Sequence, residues 1–274
     1  MRGVRTVPSG TVAINNAYRD RVDRALRSAR LSAFGPSEFV GQESFMQASD
    51  ILRLADQAGI GPRTRVLDVC CGVGGPGLLI ARTFGCAYHG IDASDSAIGI
   101  ARRRAGDLSC RFDVARVPPL PSGPYDVVLL LETLLAFADK PALLRRVFEA
   151  LPAGGRFVFT LEEGEPLSDA ERATMPDADT VWLTPLPTML SQLEAAGLRV
   201  SRQAECTESH LDVAQRLHRE FAADAANISD CIGSDGLRSL MAAHRLWIDW
   251  LECGRVRKFA LVAERSDPDP ASAT

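Results

Sequence analysis

The stretch Val66-Leu67-Asp68-Val69-Cys70-Cys71-Gly72-Val73-Gly74-Gly75-Pro76-Gly77 decides how the rest of the chain is read. Val66, Leu67 and Val69 have the β-branched and apolar character of a buried strand. Gly72, Gly74 and Gly75 lack a Cβ, so the backbone can turn sharply and come close to a ligand. Pro76 suits the first turn of a helix, where its missing N–H would have had no partner. Strand, glycine turn and helix in that order leave a ligand-sized gap at the carboxyl end of the first strand, where open α/β sheets bind ligands.

Outward from this stretch, strands and helices alternate from residue 64 on, which predicts a βαβ sheet with mainly parallel strands. Strands are expected at 65–70, 86–91 (ending at Asp92), 111–114, 125–131, 156–161, 198–205 and 257–263. Residues 125–131 are an almost unbroken apolar run, as a strand covered on both faces requires. Helices are expected up to Phe84, near 95–105, from Asp139 to Leu151, at 184–196, and as a pair at about 209–226 and 235–252. Residues 162–183 read as an acidic, irregular loop, and a loop that long is more often functional than incidental. Residues 1–60 read as an N-terminal helical cap, 61–265 as the main domain with a helical insertion at 209–252, and 266–274 as a disordered tail.

The totals narrow the class. The 274 residues are 46% apolar, enough for a full core, and carry a formal net charge of −4. No broad cationic field exists to attract phosphate backbones, so nucleic acid is not an expected partner. No apolar run approaches the roughly 20 residues that span a bilayer, and nothing resembles a signal peptide. The seven cysteines are scattered without a Cys-x-x-Cys framework, which fits a reducing, cytoplasmic setting and predicts no metal site.

Residues 72–77 match Gly-x-Gly-x-x-Gly, and Asp92 lies twenty residues after Gly72, so a nicotinamide unit is one reading. Asp68 turns it the other way, because a carboxylate at the strand end suits an ammonium group and is poorly placed beside a pyrophosphate. The pattern also continues, with Phe112-Asp113-Val114, Tyr125-Asp126-Val127-Val128 and Leu151-Pro152-Ala153-Gly154-Gly155 in order. Over roughly residues 45–200 and the final strand, this ordered set resembles the class I S-adenosylmethionine-dependent methyltransferases, in particular the bacterial small-molecule branch. The resemblance implies a Rossmann-like, seven-stranded, mainly parallel sheet with an antiparallel last strand, helices on both faces and a helical cap. It implies S-adenosyl-L-methionine as cofactor. Asp68 would help fix the methionine ammonium through the turn, with Gly72 and Gly74 passing close to the cofactor. Asp92 would take the ribose hydroxyls, Asp113 and the Val114 backbone the adenine, and Leu131 and Glu132 would border the methionine part and the methyl group. One departure is visible, since the family's glycine two residues after Asp68 is Cys70 here.

Methyl transfer is an in-line displacement that needs alignment more than a base. Candidate catalytic residues are Glu132, His210 and His244. Glu132 reads equally as a base and as an ammonium partner. His210 faces the expected mouth, and His218, roughly 12 Å away by helix rise, reads as a surface residue. His244 sits in the stripe Leu237, Leu240, Met241, His244, Trp247, Ile248, Leu251, either as a core histidine or, with Trp247, as the wall of a substrate pocket. Trp182 and the carboxylates Glu162, Glu163 and Glu165 are candidates to close over the same space, and carboxylates there would suit an amine. The expected activity is methyl transfer to a small organic molecule, with three rivals: a cyclisation on the same fold and cofactor, a non-catalytic cofactor-binding module, or a macromolecular methyltransferase, which the charge balance disfavours.

Overall fold

A computed structural model describes residues 16–175 and 178–266. Its centre is a seven-stranded sheet of β1 (Arg65–Val69), β2 (Ala87–Asp92), β3 (Cys110–Val114), β4 (Val127–Leu130), β5 (Arg156–Glu163), β6 (Leu198–Glu205) and β7 (Arg257–Arg265). The spatial order is β3-β2-β1-β4-β5-β7-β6, and β7 alone runs antiparallel to its neighbours. The helices are α1 (Asn16–Phe34), α2 (Ala48–Gln57), α3 (Gly75–Phe84), α4 (Asp95–Ala105), α5 (Lys140–Ala150), α6 (Asp169–Thr174), α7 (Leu186–Ala195), α8 (Thr207–Ala223), α9 (Ala225–Ile232) and α10 (Ser234–Glu252).

Alternation along the strands divides the core in two. Val66, Tyr88, Phe112, Val127 and Leu129 face α2, α3 and α4, packing on Ile51, Leu54, Ile80 and Ile98. Leu67, Val69, Ile91, Val128 and Leu130 face the other way, onto Leu143 and Val147 of α5 and Met189 and Leu193 of α7. A third apolar cluster lies off the sheet, where Leu26, Ala29 and Ala33 of α1 meet Val213, Leu217 and Phe221 of α8 and Ile228 of α9. Segments some 200 residues apart in sequence thus form one helical layer.

Several elements differ from the sequence reading. The helical pair at 209–252 is three helices, broken at Asp224 and at Gly233, whose φ of +82° suits glycine. The segment 162–183 is less irregular than expected. β5 continues to Glu163, and Ser168 with Glu171 forms a reciprocal cap at the start of α6. β4 is shorter than 125–131, because the chain leaves the sheet at Leu131 and Glu132 takes a φ of +57°. The expected tail at 266–274 lies, beyond Ser266, outside the described residues, as do the first 15 residues of the expected cap.

Candidate functional site

The reversal of strand order falls between β1 and β4, and both strands end in strained backbone. Cys70 follows β1 with φ +61° and Glu132 follows β4 with φ +57°, the two non-glycine residues of positive φ among the described residues. Such conformations persist only where the surroundings enforce them, and they cluster at ligand sites. Here the Glu132 N–H donates to the buried Thr160 Oγ1 at 2.5 Å. Both residues line a cavity of ≈ 270 Å³ between the glycine turn and the loop 41–46.

The turn's glycines have separate duties. Gly72 (φ +55°) and Gly74 (φ +79°) allow the reversal itself. A Cβ on Gly72 would meet nothing closer than Glu43 Oε2 at 4.0 Å, so open space lies above the turn. A Cβ on Gly75 would stand 2.7 Å from Val40 O and Gly41 C, because the N-terminal loop crosses directly over it. A Cβ on Gly77 would overlap the ring and hydroxyl of Tyr88. That hydroxyl donates to Asp68 Oδ2 at 2.5 Å. Asp68 is buried beneath the turn; burial pushes its carboxyl up to about 7, against the Tyr88 hydrogen bond and with help from the Asp92 charge. Asp92 lines the cavity, accepting from Gly72 N at 3.0 Å and Ser94 N at 2.8 Å. Its carboxylate retains lone pairs for a further donor.

A second cavity, of ≈ 330 Å³, shares Glu43, Ser44 and Glu132 with the first. Its other walls include Phe45, Leu240, His244 and Trp247, with Glu162 and Lys258. Lys258 Nζ donates to Glu132 Oε2 at 2.8 Å and to Glu162 Oε1 at 2.5 Å. The other Glu132 oxygen lies 3.3 Å from His210 Nε2, and His210 Nδ1 donates to Cys206 O at 2.9 Å. Burial opposes the charge on His210, but Glu132 and the Cys206 carbonyl outweigh it and raise the imidazole to about 10. Burial likewise opposes the Glu132 charge, yet Lys258 and His210 hold its carboxyl far below the usual range. His244 differs, since burial, with Arg30 and His218, lowers it to about 4, and its ring packs between Phe45 and Phe221 at 5.7 and 5.0 Å.

Of the residues singled out in the sequence, Gly72, Asp92, Leu131 and Glu132 line the first cavity and Glu132, His244 and Trp247 the second. Gly74 caps α3, and His210 stands buried behind Glu132. Val114 is exposed at the end of β3, in register with Asp92. The Asp68 carboxylate lies under the turn and lines neither cavity. Two placements depart from expectation. Asp113 lines neither cavity; Arg111 (2.6 Å) and His89 (3.0 Å) both engage its Oδ2. Trp182 lines neither cavity; its indole donates to Asp179 O, Arg172 lies over its ring, and its carbonyl receives Lys140.

Sequence reasoning missed the loop 41–46 as a wall. Gln42, 2% exposed, holds it by accepting from Val40 N and donating to Glu38 O and Met46 O. It also missed Lys258, although a lysine inside the apolar run of the last strand is a usable signal.

With the geometry in place, likeness to known proteins can be weighed. Residues 18–203 match a family described as a methyltransferase domain. Phosphoethanolamine N-methyltransferase 3 of Arabidopsis thaliana is 37% identical over 109 residues, 38% of this chain and 22% of that protein. The chain therefore spans about a fifth of the length of that relative. Among solved structures, phosphoethanolamine N-methyltransferase 2 of Haemonchus contortus with phosphomonomethylethanolamine and S-adenosylhomocysteine superposes with TM-score 0.74 at 18% identity, covering 91% of this chain and 60% of that one. The [4+2]-cyclase SpnF superposes with TM-score 0.71 at 21% identity, covering 98% and 100%. The chain belongs to the class I S-adenosylmethionine-dependent methyltransferases. No group of three or more potential ligands for a metal ion occurs among the described residues, and no described helix is long and apolar enough to cross a membrane.

Proposed function

We propose that this protein transfers a methyl group from S-adenosyl-L-methionine to a small organic molecule. The observation that carries the reading is the shared wall: Glu43, Ser44 and Glu132 border both cavities, so a cofactor in one and an acceptor in the other would meet there. The open space above Gly72, beside the Asp92 carboxylate, fits a cofactor with hydroxyls to donate. When bound, the cofactor supplies an electrophilic methyl on a sulfonium. Asp92 accepts ribose hydroxyls, Gly72 and Gly74 let the backbone approach, Leu131 packs beside the methionine part, and Glu132 sets a fixed negative charge at the boundary. Asp68 acts through the turn. Val114 offers an apolar edge beside Asp92, and Asp113 positions β3 through Arg111 and His89.

Catalysis then rests on alignment rather than on a strong base. Glu132 stays ionised between Lys258 and His210, His210 is held as a cation behind it, and His244 stays neutral. His244 and Trp247 serve as acceptor-cavity wall, and Trp182 braces the segment outside it. A cavity of this size argues for a small molecule over nucleic acid, and seven free thiols support a cytoplasmic setting.

Incubation with labelled S-adenosylmethionine and a panel of small amines, phenols and carboxylic acids tests the reading, with S-adenosylhomocysteine as the expected by-product. One observation favours a second use of the same site. A boundary charge that cannot take a proton also suits a cyclisation in which the cofactor stays intact. Substrate turnover without S-adenosylhomocysteine would establish that use. No heat of binding with either cofactor form would overturn both and leave a module of another kind.

A further inference from the structure

The centre of β5 reads Phe157-Val158-Phe159-Thr160-Leu161, and Thr160 is the one hydroxyl in that apolar run, 0% exposed. A valine would fill the place without burying a polar atom, so the hydroxyl calls for a reason. The reason lies at the end of β4. Pairing of β4 with β5 stops at Leu130 opposite Phe159, and the next link across is to a side chain, with Glu132 N–H donating to Thr160 Oγ1. Glu132 sits there at φ +57°, a conformation disfavoured for any residue with a Cβ. Alternation along β5 puts Thr160 and Glu162 on one face. One strand therefore holds Glu132 twice, by its backbone through Thr160 and by its carboxylate through the Lys258 that Glu162 shares. A cavity wall hangs on this link, because Leu131, Glu132 and Thr133 all line the first cavity.

We propose that Thr160 is a positioning residue for the cofactor: by accepting the Glu132 N–H it holds Leu131, Glu132 and Thr133 where S-adenosylmethionine meets them. Thr160 lines neither cavity and acts through Glu132. The hydroxyl carries the role and the methyl group does not, so serine serves at this position and valine does not. A glycine at 132 would adopt the same φ without strain, which makes the anchor dispensable. This inference rests on reading the first cavity as the cofactor site, and is independent of what the second cavity receives.

The test uses the full chain with S-adenosylmethionine and S-adenosylhomocysteine as probes, and reads affinity by calorimetry. Thr160→Val should weaken both about tenfold, as loss of one buried hydrogen bond gives, while Thr160→Ser should bind like the parent chain. Glu132→Gly provides a second background with an affinity of its own. Adding Thr160→Val to it should change affinity no further, because residues that act as one unit are not additive. If Thr160→Val alone does not fold, Glu132→Gly with and without it still decides, since the relieved backbone no longer depends on the hydroxyl. Unchanged cofactor affinity in Thr160→Val, serine failing where valine fails, or the same loss repeated in the glycine background would overturn the inference. A change confined to thermal unfolding would do so too, and would make Thr160 a packing residue. Because binding is read rather than turnover, a missing S-adenosylhomocysteine signal in the transfer assay counts against the proposed reaction alone.

Discussion

The two cavities differ in how they are built. The first takes one wall from a single continuous stretch, the end of β1 through the start of α3, whose conformation is set by its own residues, Gly72 and Gly74 at positive φ, with Asp92 fastening the turn from the next strand; the loop 41–46, Ile51 and residues 131–133 supply the rest. The second cavity is assembled from the loop 41–46, the ends of β4 and β5, the start of β7 and one face of α10. A buried ion cluster joins these pieces, while the turn needs only backbone geometry. A site made locally tolerates change in its surroundings; one made from distant segments depends on each of them.

Mutations can break that contrast. Lys258→Met strikes the assembled side hardest. It leaves Glu132 and Glu162 buried without their shared cation, and a loss of about 3–5 kcal/mol is expected in denaturant unfolding. Adding Glu162→Gln should recover part of it. The same cluster sets an alkaline limb. His210 titrates at about 10 in the fold against about 6.5 when unfolded, so its stabilising contribution is complete below about pH 6.5 and is lost as pH rises towards 10. In His210→Gln that limb should flatten in thermal scans between pH 7 and 10. An unchanged limb would remove His210 from the cluster.

On the local side, Asp92→Ala should weaken S-adenosylmethionine binding by about 1.5–3 kcal/mol by calorimetry, as loss of charge-assisted hydrogen bonds predicts, with little effect on overall stability. Gln42→Ala tests the seam, because Gln42 ties down the loop that closes both cavities. A loss of about 1–2 kcal/mol in stability is expected from its three hydrogen bonds, with weaker binding in each cavity. The smallest effect belongs to Cys70→Gly, which relieves the φ of +61° and should raise stability by about 1 kcal/mol at most. A loss instead would show that the thiol's packing outweighs the strain.

The same contrast explains what was legible beforehand. The strand positions along the chain, the glycine turn and Asp92 follow from short-range patterns, since apolar runs, turn chemistry and strand-end position are all local. The misplacements share one cause. Whether Asp113 points to the cavity or to His89 depends on the pleat of β3 and its register with β2, which spacing alone does not determine. Trp182 was placed by its acidic neighbourhood, yet Arg172 and the Asp179 carbonyl hold it outside the cavity. Gly75 reads with Gly72 and Gly74 as bringing the backbone near a ligand, but what it accommodates is the crossing loop at Val40 and Gly41, and Gly77 makes room for the Tyr88 ring.

By itself the sequence determined the sheet class, the first strand with its turn and the family resemblance, because hydrophobic period and glycine conformation act over a few residues. The tertiary structure alone decided the second cavity. Glu162 meets Lys258 through β5–β7 pairing across 96 residues, and His210 reaches Glu132 across 78. Contacts at such separations are selected by packing of the whole core, so no window of sequence contains them.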